Sequence, residues 1–169
     1  NETLLNYLPV LPTQRKRVAV VGAGPAGLAF ATVAAQRGHA VTLIDAGAEI
    51  GGQFNLAKRV PGKEEFDEML RYFRRRIQTT GVELRLETRV AAADLADFDE
   101  VIIATGVLPR DPKIKGQDHP KVLSYIDVLR GHRSVGPRVA VVGAGGIGFD
   151  VAEYLVHSGT STTLDLPAW

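Results

Sequence analysis

The 169 residues carry 20 Lys and Arg against 19 Asp and Glu, a formal net charge of +1, and contain no cysteine. That balance leaves no basic excess to neutralise a run of phosphates, which argues against nucleic acid as a partner. Without cysteine these residues offer no disulfide framework, no Cys-ligated zinc or iron–sulfur cluster and no thiol nucleophile.

No apolar stretch approaches the roughly 18 residues needed to span a bilayer, and the first twenty do not read as a signal peptide. A cytoplasmic, globular protein with no membrane partner is therefore expected. Residues 1–16 read as a linker or docking strap, because Pro9 and Pro12 break any regular element. From Val18 the pattern changes. Val18-Ala19-Val20-Val21 is a short apolar run, as expected of a strand buried on both faces. A glycine-rich turn follows, then a helix with Leu28, Ala31, Ala34 and Ala35 on its small-residue face, ending at Gly38. Val41-Thr42-Leu43-Ile44, closed by Asp45, is the next strand. Such a βαβ unit implies parallel strands.

Residues 46–62 are loop-like. A helix is predicted from Glu64 to Gln78, with Phe66, Met69, Leu70, Phe73 and Ile77 in one apolar stripe. Acids at its start and Arg71, Arg74, Arg75 and Arg76 at its end complement the helix dipole. The arginines could form an anion site; a solvated helix end with i,i+4 pairs such as Asp67–Arg71 is the favoured reading. Val82 to Leu86 alternates and predicts a strand, and Glu100 to Ala104 predicts a further buried strand running into Thr105-Gly106. Residues 107–121 are a proline-interrupted connection. Ser124 to Asp127 matches a capping box before a short helix.

Arg138 to Gly145 then repeats Arg17 to Gly24 letter for letter: Arg-Val-Ala-Val-Val-Gly-Ala-Gly. Two copies about 120 positions apart are too widely spaced for a solenoid and predict two starts of the same kind of domain. The expected fold is α/β: a Rossmann-like parallel sheet in an FAD-binding domain, plus the start of a second Rossmann-like, nicotinamide-binding domain. The boundaries are a strap over 1–16, the N-terminal part of the FAD domain over 17–113, a connection over 114–136 and a truncated second domain over 137–169.

Two motifs carry the chemistry. Gly22-Ala23-Gly24-Pro25-Ala26-Gly27 is G-x-G-x-x-G between a predicted strand and helix. Gly22 permits the tight turn, Gly24 lets the backbone approach a pyrophosphate, and Gly27 lets the helix pack on the strand. The helix N-terminus presents free N–H groups to the phosphates. Asp45, 18 residues after Gly27, is placed to accept from ribose hydroxyls. A helix-packing turn without ligand is the alternative. FAD is favoured over NAD by Gly51-Gly52-Gln53, where the chain can pass close to a large cofactor, and by Ala104-Thr105-Gly106, which would wall the FAD site. Gly143-Ala144-Gly145-Gly146-Ile147-Gly148 is the second such motif, suited to a nicotinamide nucleotide. Asp165 lies near where a ribose-binding acid belongs, but the residues before it lack a buried strand, and a loop acid is preferred. His39, His119, His132 and His157 show no metal spacing and read as surface residues. No catalytic side chain is assigned, because hydride transfer to a flavin needs positioning more than an acid or base.

With both glycine motifs and the Gly-Gly-Gln and Ala-Thr-Gly segments in place, the chain resembles the FAD/NADPH-binding portion of the bacterial NADPH-dependent 2,4-dienoyl-CoA reductases, of the trimethylamine dehydrogenase-like flavoprotein family. The specific stretches are Glu49 to Glu65, Asp118 to Leu129 and Gly143 to Asp150. The resemblance implies FAD on Gly22, Gly24, Pro25, Ala26, Gly27, Asp45, Gly52, Gln53, Lys63, the Val90 backbone and Ala104 to Gly106. It implies NADPH on Gly143, Gly145, Gly146, Ile147 and Gly148. It also implies a parent enzyme in which electrons pass from NADPH through FAD and a 4Fe–4S cluster to FMN in a barrel domain, and on to the acyl-CoA. The barrel, the cluster cysteines and the segment completing the FAD domain are not in these residues. A longer insertion near residue 160 in the family further weakens the ribose reading of Asp165. The alternative is a non-catalytic module holding ADP for structural reasons. A cysteine-based disulfide reductase shares the fold, but these residues contain no thiol.

Overall fold

Two apolar strands joined through a glycine turn and a helix start the architecture, in a computed structural model that describes residues 8–164 and Pro167. β1 (Arg17–Val21) leads to α1 (Pro25–Gln36) and β2 (Ala40–Ile44). α2 (Phe54–Ala57), α3 (Glu65–Thr80), β3 (Glu83–Arg85) and β4 (Glu100–Ile103) follow, then α4 (Tyr125–Arg130) and α5 (Gly146–Val156). The four strands form one parallel sheet in the order β3-β2-β1-β4, with Val18 opposite both Val41 and Glu100.

By their internal contacts the residues divide into two units. One takes the chain up to Phe54 together with Glu68–Val107, and the other takes Asn55–Asp67 with the described residues from Leu108 onward. In the first unit, three successive residues of β1 and four of β2 are buried, as strands covered on both faces must be. Leu28, Ala31 and Ala34 of α1, with Leu70 and Ile77 of α3, join Val18, Val20, Val41 and Leu43 in one core. The small residues of α1 permit close helix–strand packing. In the second unit Val60, Val128, Leu129 and Val151 form a separate core, and α4 packs on α5. α4 is capped as its sequence predicts. Ser124 Oγ accepts from the Asp127 amide and donates to the Asp127 carboxylate, and Gly131 ends the helix in the left-handed region.

Four sequence expectations need correction. Residues 46–62 are not all loop, since α2 lies within them. The run ending at Ala104 forms β4, but as the sheet's edge it is not buried, and Ile103 is 68% exposed. Residues 138–142, identical to the start of β1, form no strand; Val142 is 83% exposed. A strand exists through hydrogen bonds to a neighbour; β1 has β2 and β4, and no described residues pair with the second copy. Finally, the Asp67–Arg71 pair does not form. Arg71 pairs with Glu68, while Asp67 accepts from Lys58 Nζ at 3.0 Å. Among the described residues no helix is long and apolar enough to cross a membrane.

Candidate functional site

The carboxyl ends of β1, β2 and β4 bring the first glycine motif, Asp45, Gly51-Gly52 and Ala104-Thr105 together, at the end of a parallel sheet where α/β folds bind ligands. Three glycines of the motif are explained differently. Gly22 has φ +112°, and a Cβ there would lie 2.2 Å from the Ala104 carbonyl oxygen. A Cβ on Gly27 would lie 1.8 Å from the Gly22 oxygen. Both positions are closed to any side chain by the protein itself. Gly24 is not: its φ is −76°, and a Cβ would meet nothing within 4 Å. Neither backbone strain nor protein packing accounts for a glycine there. The open cradle before it is what an approaching ligand backbone would use.

Gly24 is also the N-cap of α1, with Pro25 in the first turn, no side-chain cap and no acidic residue there. The first-turn amides of Ala26 and Gly27 are thus left without a capping oxygen, and the partial positive charge of the helix end is unneutralised. An anionic pyrophosphate fits this donor set.

Asp45 does more than its position at the end of β2 suggested. Its Oδ2 accepts from the Ala23 amide at 2.6 Å and its Oδ1 from the Gly47 amide at 2.7 Å. The carboxylate therefore ties the glycine turn to the loop after β2. Each oxygen retains a lone pair for a further donor. The Gly47 contact is an Asx-type turn readable from an Asp two residues before a glycine; the Ala23 contact crosses 22 residues and is not. Gly51 donates its amide to the Ala23 oxygen at 2.8 Å. A Cβ on Gly52 would lie 3.2 Å from the Gly24 Cα. Gln53 donates Nε2 to the Val107 oxygen at 3.1 Å, tying this segment to the chain just beyond Ala104-Thr105-Gly106. Val90 sits half-buried in the turn after β3.

The remaining predicted residues belong to the second unit. Its glycine turn repeats the local shape of the first. Gly143 has φ +122°, a Cβ on Gly148 would lie 2.1 Å from the Gly143 oxygen, and Gly145 and Gly146 face open space. Gly145 is the uncapped N-cap of α5, and Ile147 is exposed in its first turn. Among the described residues nothing lies within 4 Å of a Cβ on Gly143, unlike Gly22, which Ala104 crosses. Lys63 Nζ binds both carboxylate oxygens of Asp150 in α5, at 2.7 and 2.6 Å. Sequence reasoning did not find Asp150. Asp165 lies outside the described residues. His119, His132 and His157 are exposed and His39 is half-buried; among the described residues no cluster of His, Asp or Glu could hold a metal ion.

The family described as "Pyridine nucleotide-disulphide oxidoreductase" matches residues 16–165. The chain is 38% identical over 160 residues to a metal reductase of Desulforamulus reducens, covering 90% of this chain and 24% of the relative. It is 36% identical over 158 residues to a cinnamate reductase of Clostridium sporogenes, covering 89% and 23%. Among solved structures, 2-naphthoyl-CoA reductase in complex with 2-naphthoyl-CoA superposes with a TM-score of 0.83 at 36% identity, covering 88% of this chain and 23% of that one. The chain spans about a quarter of the length of the curated relatives it matches.

Proposed function

The chain belongs to the pyridine nucleotide-disulphide oxidoreductase family, and from that premise we propose that it is the FAD- and NADPH-binding module of a flavin oxidoreductase that reduces 2,4-dienoyl-CoA. The observation that carries the nucleotide reading is Gly24, a glycine that the protein's own packing does not require, at an uncapped helix N-terminus. In this reading Gly22 and Gly27 shape the turn, and the amides of Ala26 and Gly27 hold the pyrophosphate of FAD. Asp45, fixed by Ala23 and Gly47, uses its spare lone pairs on the adenosine ribose. Gly52, Gln53, Val90 and Ala104 to Gly106 wall the remainder. The second turn, Gly143 to Gly148, with the first-turn amides of α5, holds the pyrophosphate of NADPH.

When bound, FAD supplies a two-electron carrier able to accept hydride from the nicotinamide. The protein's contribution is to bind and orient. The family's disulphide chemistry has no thiol to act through in these residues. The onward route through a 4Fe–4S cluster and FMN in a barrel domain would use cysteines and a domain from outside them. Two relatives support the substrate class: one is named as reductase of a CoA thioester and another of cinnamate. A cytoplasmic setting fits a reaction fed by NADPH and acyl-CoA.

The test is cofactor content. Denaturing the purified protein should release FAD, and adding NADPH without oxygen should bleach the flavin absorbance, with 2,4-dienoyl-CoA restoring it. Release of FMN or ADP without FAD would refute the redox role and leave a structural nucleotide-binding module.

A further inference from the structure

Three consecutive residues of the second unit, Gly62, Lys63 and Glu64, are bonded to three points far along the chain in the same unit. The Gly62 amide donates to Ser161 Oγ at 3.2 Å. Lys63 pairs with Asp150. The Glu64 carboxylate accepts from Thr163 Oγ1 at 2.6 Å and, through Oε1, from the Gly62 amide at 3.2 Å. Ser161 and Thr163 are themselves joined at 2.8 Å, and Ser161 is buried. The result is a closed ring of hydrogen bonds through Gly62, Ser161, Thr163 and Glu64, side by side with the ion pair that holds α5. The contacts to Ser161 and Thr163 bridge 99 residues, so the ring is tertiary structure and not a local turn.

The ion pair holds α5 itself, and the ring holds residues 161 and 163 just after the helix ends. Asp150 lies within α5, two residues beyond the second glycine motif, and residues 161–164 follow shortly after the helix ends at Val156. Fixing both to the 62–64 loop fixes the direction of α5, and with it the direction in which its first-turn amides point. We propose that Glu64 is a positioning residue for the second nucleotide loop, clasping Ser161 and Thr163 so that α5 and residues 143–148 are held ready for the pyridine nucleotide. The inference rests on the reading of that loop as a nucleotide site. The clasp stays formed at physiological pH. Burial pushes the Glu64 carboxyl upward, but hydrogen bonds to Thr163, Ser161 and the amides of Gly62 and Glu64 itself outweigh it and hold the group at about 2.

The experiment compares the wild-type protein, Glu64→Ala, Glu64→Gln and Thr163→Val by hydrogen exchange and by calorimetric titration with NADPH. Glu64→Ala and Thr163→Val should speed amide exchange in residues 161–164 and weaken NADPH about tenfold, leaving FAD content unchanged. Glu64→Gln keeps an oxygen to accept from Thr163 and should retain most of the affinity, which a loss of charge alone would not predict. Exchange in residues 161–164 unaltered by Glu64→Ala and Thr163→Val would overturn the clasp. Altered exchange with unchanged NADPH affinity would overturn the positioning role. A wild-type protein that exchanges as expected but binds no NADPH would overturn the nucleotide reading of the loop, and the positioning role with it, while the clasp stands.

Discussion

Gly24 and Gly27 lie three residues apart, yet alanine should act on them in opposite ways. At Gly27 the new Cβ would begin 1.8 Å from the Gly22 oxygen. Carbon–oxygen contacts settle near 3.3 Å, so α1 would have to withdraw from the turn by about 1.5 Å. Overpacking of that kind costs about 3 kcal/mol or more, a large share of a domain's total stability of about 5–15 kcal/mol. At Gly24 the Cβ meets nothing and φ is already suited to alanine. The apoprotein should change by only about 0.5 kcal/mol, the small preference for glycine over alanine at an N-cap. The cost appears with the ligand. A methyl group in front of the helix end keeps the pyrophosphate from its charge-assisted hydrogen bonds, each worth about 1.5–3 kcal/mol, so FAD should bind about tenfold to a hundredfold more weakly. Urea unfolding of the apoproteins and calorimetric titration with FAD read the two effects separately. Wild-type FAD affinity in Gly24→Ala, or a loss of apoprotein stability matching that of Gly27→Ala, would refute the reasoning.

Asp45→Asn turns one acceptor oxygen into a donor facing a backbone N–H, which should cost about 1–3 kcal/mol in urea unfolding and lower FAD affinity as well. Leu70→Ala empties a fully buried site in the sheet–helix core and should cost about 2–5 kcal/mol by the same measurement without changing cofactor preference. Glu64 bears on the acid limb. Its pKa falls from 4.5 unfolded to about 2 folded, so its contribution is complete above pH 4.5 and is lost as pH falls toward 2. Glu64→Gln should therefore flatten the loss of stability over that window in pH-dependent urea unfolding, and a curve as steep as wild type would count against the clasp.

The first βαβ unit was legible because its signals are local. The apolar runs at 18–21 and 41–44, the glycines between them and Ser124 at the start of α4 each act within a few residues of themselves. The stripe through Leu70 and Ile77 was likewise readable from its period. What was not legible depends on partners. The apolar run at 101–103 reads as buried, but burial depends on what lies beyond β4, and β4 is the sheet's edge. The eight letters at 17–24 and 138–145 are the same, and only the first copy has strands to pair with. Arg71 has acids three and four residues before it, and spacing alone does not decide between them; in the structure Lys58 takes Asp67 and leaves Glu68 to Arg71. At the candidate site the glycine roles followed from the motif, whereas the bonds of Asp45 to Ala23, of Lys63 to Asp150 and of Glu64 to Thr163 cross 22 to 99 residues and leave no local trace.

The strand order also fixes a sequence of events during synthesis. β1 needs only the next 23 residues to meet β2, but its other neighbour starts 82 residues downstream, at Glu100. Closing the longer loop costs about 1 kcal/mol more in chain entropy. The parallel βαβ core of β1, α1 and β2 can thus gather on the ribosome well before β4 emerges. The Ala104 carbonyl that closes over Gly22 follows β4, so the nascent chain would have the fingerprint glycines long before it had a finished cofactor turn.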